Sequence, residues 1–321
     1  MIHSYSDSKI VENILQLTGL IQEALNSLTR ATMNISLVHS LLYNAGSYES
    51  AIAQSACGYL SCGYSGYTFP TQFIPNRQEV LMELKSAAKL CDILFYSYSD
   101  KSKLGNGRSL CLEAAETIQS PLLSLGDEIF AFQSALGYIL PIYRRLGKLK
   151  EKKVVVSWGY DTRFSLPATA HALVYLSAVL GADVSIIAPK DFPLLRRVLK
   201  KSKKIAGESD GSVETVERTE KEYHDADAVF AFNWCSVNEF IRPERNKDLA
   251  FQYRDWQISK DCLDNALFMT EQPQRLDMIA ERAVMDSSAN LTSHWLESRI
   301  LVLLASMDAI FRHNSTIRAL V

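Results

Sequence analysis

Val154-Val155-Val156-Ser157-Trp158 is followed by a loop at 159–166, Pro167, an apolar stretch at 168–180, Gly181, and then Asp183-Val184-Ser185-Ile186-Ile187-Ala188-Pro189. The first and last stretches are short and rich in β-branched residues, as in strands buried on both faces. The segment between them has helical length. It opens on proline, a favoured first helical residue, and closes on glycine, a favoured C-cap. Strand, helix and strand in this succession form a right-handed crossover in a parallel sheet, with ligands beyond the carboxyl ends of the strands.

The rhythm extends both ways. Downstream, a helix is expected at 193–205, strands at 211–216, 227–232 and 265–269, and helices at 278–285 and 293–311. Upstream, apolar residues at helical spacing predict a long helix over 128–146, and a basic tether at 148–153 leads into Val154. Further back, an amphipathic helix spans 8–30, with Asp7 or Ser8 as its N-cap. Strands are expected at 34–42 and 93–98, and helices at 47–57, 77–91 and 109–119. Gly58 to Pro70 is rich in Gly and Tyr, with Gly58, Gly63 and Gly66, and reads as a loop. It is either a surface loop with packed aromatics or one that covers a ligand or bridges subunits.

The chain has 321 residues, 34 Lys+Arg against 36 Asp+Glu, a formal net charge of −2, and 47% hydrophobic residues. That balance excludes a polybasic nucleic-acid binder, an acidic disordered tail and a low-complexity chain. The length suits two domains. The six cysteines form no CxxC pair or Cys/His knuckle, so neither a metal nor a cofactor is called for. The polar N-terminus lacks signal-peptide character, and no run of about 18 uncharged apolar residues is present, so a cytoplasmic protein without membrane contact is expected. Arg196, Arg197, Lys200, Lys201, Lys203 and Lys204 read as a solvated helix face rather than a nucleic-acid site.

The second half resembles the aspartate/ornithine carbamoyltransferase superfamily. The resemblance rests on Gly211-Ser212-Val213, His224-Asp225-Ala226-Asp227-Ala228-Val229, Trp234-Cys235-Ser236-Val237-Asn238-Glu239, Ala283-Val284-Met285-Asp286-Ser287 and Glu297-Ser298-Arg299. Ser157-Trp158-Gly159-Tyr160 with Leu166-Pro167 is nearer the N-acetylornithine carbamoyltransferase branch. The likeness runs from about 92 to 321. It implies two doubly wound α/β domains with parallel sheets, joined by two linking helices: 1–137 plus 293–321 as a carbamoyl-phosphate-type domain, and 138–292 as an amino-acid-binding-type domain. It also implies a homotrimer.

The same comparison exposes departures. Where the family grips phosphate with a Ser-x-Arg-Thr-Arg turn, this chain has Leu41-Leu42-Tyr43-Asn44-Ala45. The His-Pro-x-Gln position reads Phe130-Ala131-Phe132-Gln133. The His-Cys-Leu-Pro-x-Arg position reads Thr270-Glu271-Gln272-Pro273-Gln274-Arg275, where Glu271 would repel a phosphate dianion. Phe232 stands where the ornithine branch has an acidic residue. Gln133 and Arg275 therefore remain as the catalytic candidates that the resemblance implies. Trp158, Tyr160, Asp161, Arg163, Trp234, Ser236 and Glu271 lie just past strands and are the substrate-binding candidates.

Each has a plainer alternative. Gln133 and Arg275 could make a helix-end hydrogen bond and a structural ion pair, and the Trp, Asp and Arg residues could be packed or paired. Glu297 and Arg299 read as structural, and His171 as a satisfied core histidine. Cys235 reads as a small buried hydrophobe. The resulting expectation is a diverged transferase acting on an amino acid or amine, with non-standard or lost carbamoyl-phosphate use. The alternative is a catalytically inactive homologue that binds an amino-acid-like ligand or a partner protein.

Overall fold

A computed structural model of the chain describes residues 9, 11–16, 18–19, 35–43, 48–69, 76–312 and 319–320. The chain divides into two units, Met1–Gly137 with Leu296–Val321, and Tyr138–Trp295. Of the expected opening helix, the described residues between 9 and 19 are helical; the rest of 8–30 lies outside the described residues.

In the first unit β1 (Leu37–Tyr43), β2 (Gly63–Phe69), β3 (Ile93–Tyr98), β4 (Leu122–Gly126) and β10 (Ala319–Leu320) form one sheet in the order β10-β4-β3-β1-β2. Every pairing is parallel. All six residues of β3 are buried, as a strand covered on both faces requires. In the second unit β5 (Lys153–Trp158), β6 (Asp183–Ile187), β7 (Ser212–Thr215), β8 (Ala228–Phe232) and β9 (Leu267–Thr270) follow the order β7-β6-β5-β8-β9, again all parallel. The fold is α/β with two doubly wound parallel sheets. Strand order reverses between β1 and β3 in the first sheet and between β5 and β8 in the second. Those two crevices are where a doubly wound sheet receives ligands.

The crossover at 154–189 forms through the helix Ala168–Val179, and Gly181 follows it at a φ of +75°, the left-handed conformation that ends helices on glycine. The long helices are Phe132–Leu146 and Trp295–Arg312. The first starts later than its periodicity predicts. Asp127 Oδ1 accepts the Ile129 and Phe130 amides at 2.7 and 2.8 Å, and the Asp127 amide donates to the Phe130 carbonyl, so 127–130 is a turn.

Three other expectations change. The Gly/Tyr-rich segment is not a loop, because residues 63–69 form the edge strand β2. Its Tyr, Thr and Phe residues favour extended backbone, and Gly66 is where Ser40 Oγ and the Tyr64 hydroxyl come too close for a side chain. The helix at 278–285 shrinks to Arg282–Met285, since Ile258 exchanges backbone bonds with Ile279 and Glu281 and holds that stretch extended. Strand β4 was not anticipated, although a run of apolar residues between Pro121 and Gly126 is the signal for it.

Candidate functional site

The second sheet builds its crevice from the residues that follow β5 and β8. Trp158 ends β5, fully buried, stacked on Phe192 at 4.7 Å, with its indole N–H donating to the Trp234 carbonyl at 3.0 Å. Trp234 is equally buried and donates to the Phe192 carbonyl at 2.8 Å. The Trp158 indole thus ties the ends of β5 and β8 together, and the Trp234 indole ties the end of β8 to the segment after β6. Beyond them opens a cavity of about 260 Å³. Its wall runs from Tyr160 to Phe164, across Asn233 to Cys235, and along the helix Pro243–Phe251.

Beside this cavity lies an ionic network made wholly within the second unit. Asp161, 1% exposed, accepts from the Arg163 amide, Nε and NH2 and from Arg275 NH1, at 2.7–3.0 Å. Arg163 NH2 also donates to Glu271 at 3.0 Å, and Arg275 NH1 to the Thr162 hydroxyl at 2.8 Å. Ser165 donates to the other Glu271 oxygen at 3.3 Å. Two guanidinium groups therefore face two carboxyl groups. Burial pushes the Glu271 carboxyl up to about 7, against the pull of Arg163, so desolvation outweighs the ion pair. Burial likewise pushes the Cys235 thiol up to about 12, which leaves it a neutral wall group at neutral pH.

The structure thus brings together Tyr160, Asp161, Arg163 and Trp234 on one wall, with Glu271 and Arg275 joined to it through Asp161 and Arg163. Trp158 and Ser236 are not on that wall. Trp158 packs beneath it, and the Ser236 amide donates to Asn246 Oδ1 at 2.6 Å. Phe192, Asn246 and Phe251 line the cavity without having been singled out. For Asn246 and Phe251 the one cue was Pro243, which starts their helix at a position proline favours.

Gln133 belongs to the first unit. It is fully buried, and its amide donates to Ser306 Oγ at 2.8 Å, joining two helices. There, among the described residues, the ends of β1 and β3 carry aromatic side chains packed on one another. Tyr43 stacks on Phe69 at 3.9 Å, meets Tyr98 edge-on at 5.8 Å, and donates its hydroxyl to Glu83 at 2.5 Å. Leu41, Leu42 and Tyr43 are all core residues; Asn44 and Ala45 lie outside the described residues. Past β4, buried Glu128 accepts from the Gly107 amide at 2.8 Å and the Asp100 amide at 3.4 Å, and burial pushes its carboxyl up to about 7. Arg299 makes a two-pronged ion pair with Glu49 at 3.1 and 2.5 Å. His171 accepts the Leu195 amide at 3.1 Å, a satisfied core histidine.

Residues 165–310 match the Asp/Orn-binding domain of aspartate/ornithine carbamoyltransferases. Over that stretch the chain is similar to the aspartate/ornithine carbamoyltransferases. N-acetylornithine carbamoyltransferase of Xanthomonas campestris pv. campestris is 27% identical over 181 residues, 54% of this chain and 53% of that protein. The anabolic ornithine carbamoyltransferase of Pyrococcus furiosus is 28% identical over 171 residues, 52% of this chain and 51% of that protein. The matched stretch thus spans about half the length of these relatives. In three dimensions, N-acetyl-L-ornithine transcarbamylase superposes with a TM-score of 0.84 at 18% identity, covering 96% of this chain and 99% of that one. That likeness establishes the fold. Among the described residues, no group of three or more His, Cys, Asp and Glu side chains could hold a metal ion, and no helix is long and apolar enough to cross a membrane.

Proposed function

We propose that the chain binds an amino acid or amine at the β5/β8 crevice of its second unit and acts there as a diverged transferase, using carbamoyl phosphate in a non-standard way or not at all. The supporting observation is the ionic network. Arg275, at the position where the family resemblance implies a ligand-binding arginine, donates to Asp161 and Thr162, and Glu271 sits beside it. A dianion entering this place would meet a guanidinium already paired and a carboxyl group that opposes it. The open cavity next to it supports retention of the acceptor side. In this reading Arg275 and Gln133 are the residues left of the catalytic set, and Tyr160, Asp161, Arg163, Trp234 and Glu271 shape the acceptor site, with Trp158 and Ser236 behind them.

One observation favours the second reading, a catalytically inactive homologue that binds an amino-acid-like ligand or a partner protein. Gln133 is fully buried and donates to Ser306, which suits a structural role. Thermal-shift measurements on the full chain with a panel of amino acids and amines test the binding proposal. At least one member should raise the melting temperature, and a flat response across the panel would overturn it. Phosphate release from carbamoyl phosphate in the presence of the responding compound separates the two readings. Assembly as a trimer is part of the proposal; a monomer by light scattering would contradict it.

A further inference from the structure

The polar side chains of the cavity wall are largely turned to one another. Asp161 is filled by four donors from Arg163 and Arg275. Asn233 donates its amide to the Gly159 carbonyl at 3.1 Å. Asn246 accepts from the Ser236 amide and donates to the carbonyls of Glu239 and Arg242. Trp234 uses its one donor on Phe192. Toward the empty space stand aromatic and aliphatic surface from Phe164, Phe192, Trp234, Ala250 and Phe251, with the Cys235 thiol and the side chains of Tyr160 and Thr162. The charged wall groups Asp161 and Arg163 are already paired with each other and with Arg275 and Glu271, so a further buried charge would find its partners taken, and burying an unpaired charge is costly.

The exposed end is different. Lys247 and Asp248 are neighbours on the helix Pro243–Phe251 and both line the cavity. Lys247 is exposed and, among the described residues, paired with Glu244 on its own helix, at 2.9 Å. Asp248 is also exposed, and no hydrogen bond or ion pair of its side chain is found among the described residues. The cavity thus carries at its rim one ammonium and one carboxylate, on consecutive residues of one helix, the two charge signs that the head of an amino acid requires.

We infer that this cavity accepts an amino acid whose side chain is uncharged and apolar, aromatic or branched aliphatic, held inside the aromatic wall with its charged head at Lys247 and Asp248. Small-molecule pockets run from roughly 300 Å³ upward, so a cavity of about 260 Å³ suits a single side-chain-sized group. The inference rests on the proposed acceptor site and narrows it: a chain ending in a second charge, as in ornithine or aspartate, would have to leave that charge unpaired within the wall.

The test is a thermal-shift titration of the full chain with L-phenylalanine, L-leucine, L-ornithine and L-aspartate, and with indole as an apolar probe lacking the charged head. Phenylalanine or leucine should act at concentrations about tenfold or more below those of ornithine and aspartate, the ratio expected when a charge must be buried. Ala250→Trp, which fills the cavity, should weaken that response about tenfold. If it fails to fold, Phe251→Ala, at a 56% exposed wall position, should weaken it about threefold. Tighter binding of ornithine or aspartate would overturn the inference and leave the acceptor site standing. A response to indole with none to any amino acid or amine would leave an apolar cavity but overturn both the amino-acid assignment and the proposed function. No response to any compound, indole included, would overturn the inference outright.

Discussion

The two crevices of this chain arise from the same topology and have been filled differently. In the first sheet the ends of β1 and β3 close on Tyr43, Phe69 and Tyr98, packed ring against ring, and past β4 Glu128 occupies the backbone donors at Gly107 and Asp100. In the second sheet two buried tryptophans tie the ends of β5 and β8 to each other and to the segment after β6, with an open cavity beyond them. The match to the family's Asp/Orn-binding domain likewise falls on 165–310, mostly in the second unit. A shared strand order thus guarantees a crevice but not a ligand. What stands at the strand ends decides whether space remains.

The largest effect that would sharpen this comparison comes from the buried ion pairs, one set in each unit. Arg299→Ala leaves Glu49 without its partner, and Asp161→Ala leaves two arginines facing Glu271 alone. Arg299→Ala should cost about 3–5 kcal/mol in urea denaturation, the range for removing one member of a buried pair, and Asp161→Ala about 2–4 kcal/mol, because its arginine partners are partly exposed. A loss below about 1 kcal/mol at Asp161 would show the network to be a surface feature, and the contrast between the units would weaken.

Next in size is a pH effect carried by one glutamate in each unit. Glu128 and Glu271 are both raised by burial from 4.5 to about 7, so each holds its proton more tightly folded than unfolded. Their contribution is therefore fully present below about pH 4.5 and is lost as pH rises through about 7, by roughly 3 kcal/mol per group at most. Glu128→Gln and Glu271→Gln should each flatten the decline in stability between pH 5 and pH 8, measured by denaturant titration across that range. An unchanged slope in either variant would break the parallel between the two carboxyl groups. The smallest effect is expected at the basic helix face. Lys204→Ala removes a surface pair to Glu208 at 3.6 Å and should change stability by a few tenths of a kcal/mol.

The alternation of strand and helix was legible in sequence wherever an apolar run sat between strong punctuation, as from Val154 to Pro189. It failed at β2, because glycine signals a turn in sequence but here permits close approach between strands. It failed again at Ile279, whose backbone is held extended by Ile258, a contact that no local pattern announces. At the candidate site, the individual residues past β5 and β8 could be named from strand ends alone. Their connections could not. Arg163 and Glu271 are 108 residues apart and Asp161 and Arg275 are 114 apart, so charge pairing at those positions became visible only once β5 and β9 were placed in one sheet. The likeness to the family singled out Arg275, but its bonds to Asp161 and Thr162 appear only in three dimensions.

The central claim is that carbamoyl phosphate has lost its ordinary site while the acceptor side stays open. Isothermal titration of the full chain with carbamoyl phosphate at millimolar concentration tests this most directly. For the chain without an acceptor compound, the account predicts no binding heat and no protection against thermal unfolding; saturable binding at those concentrations would contradict it.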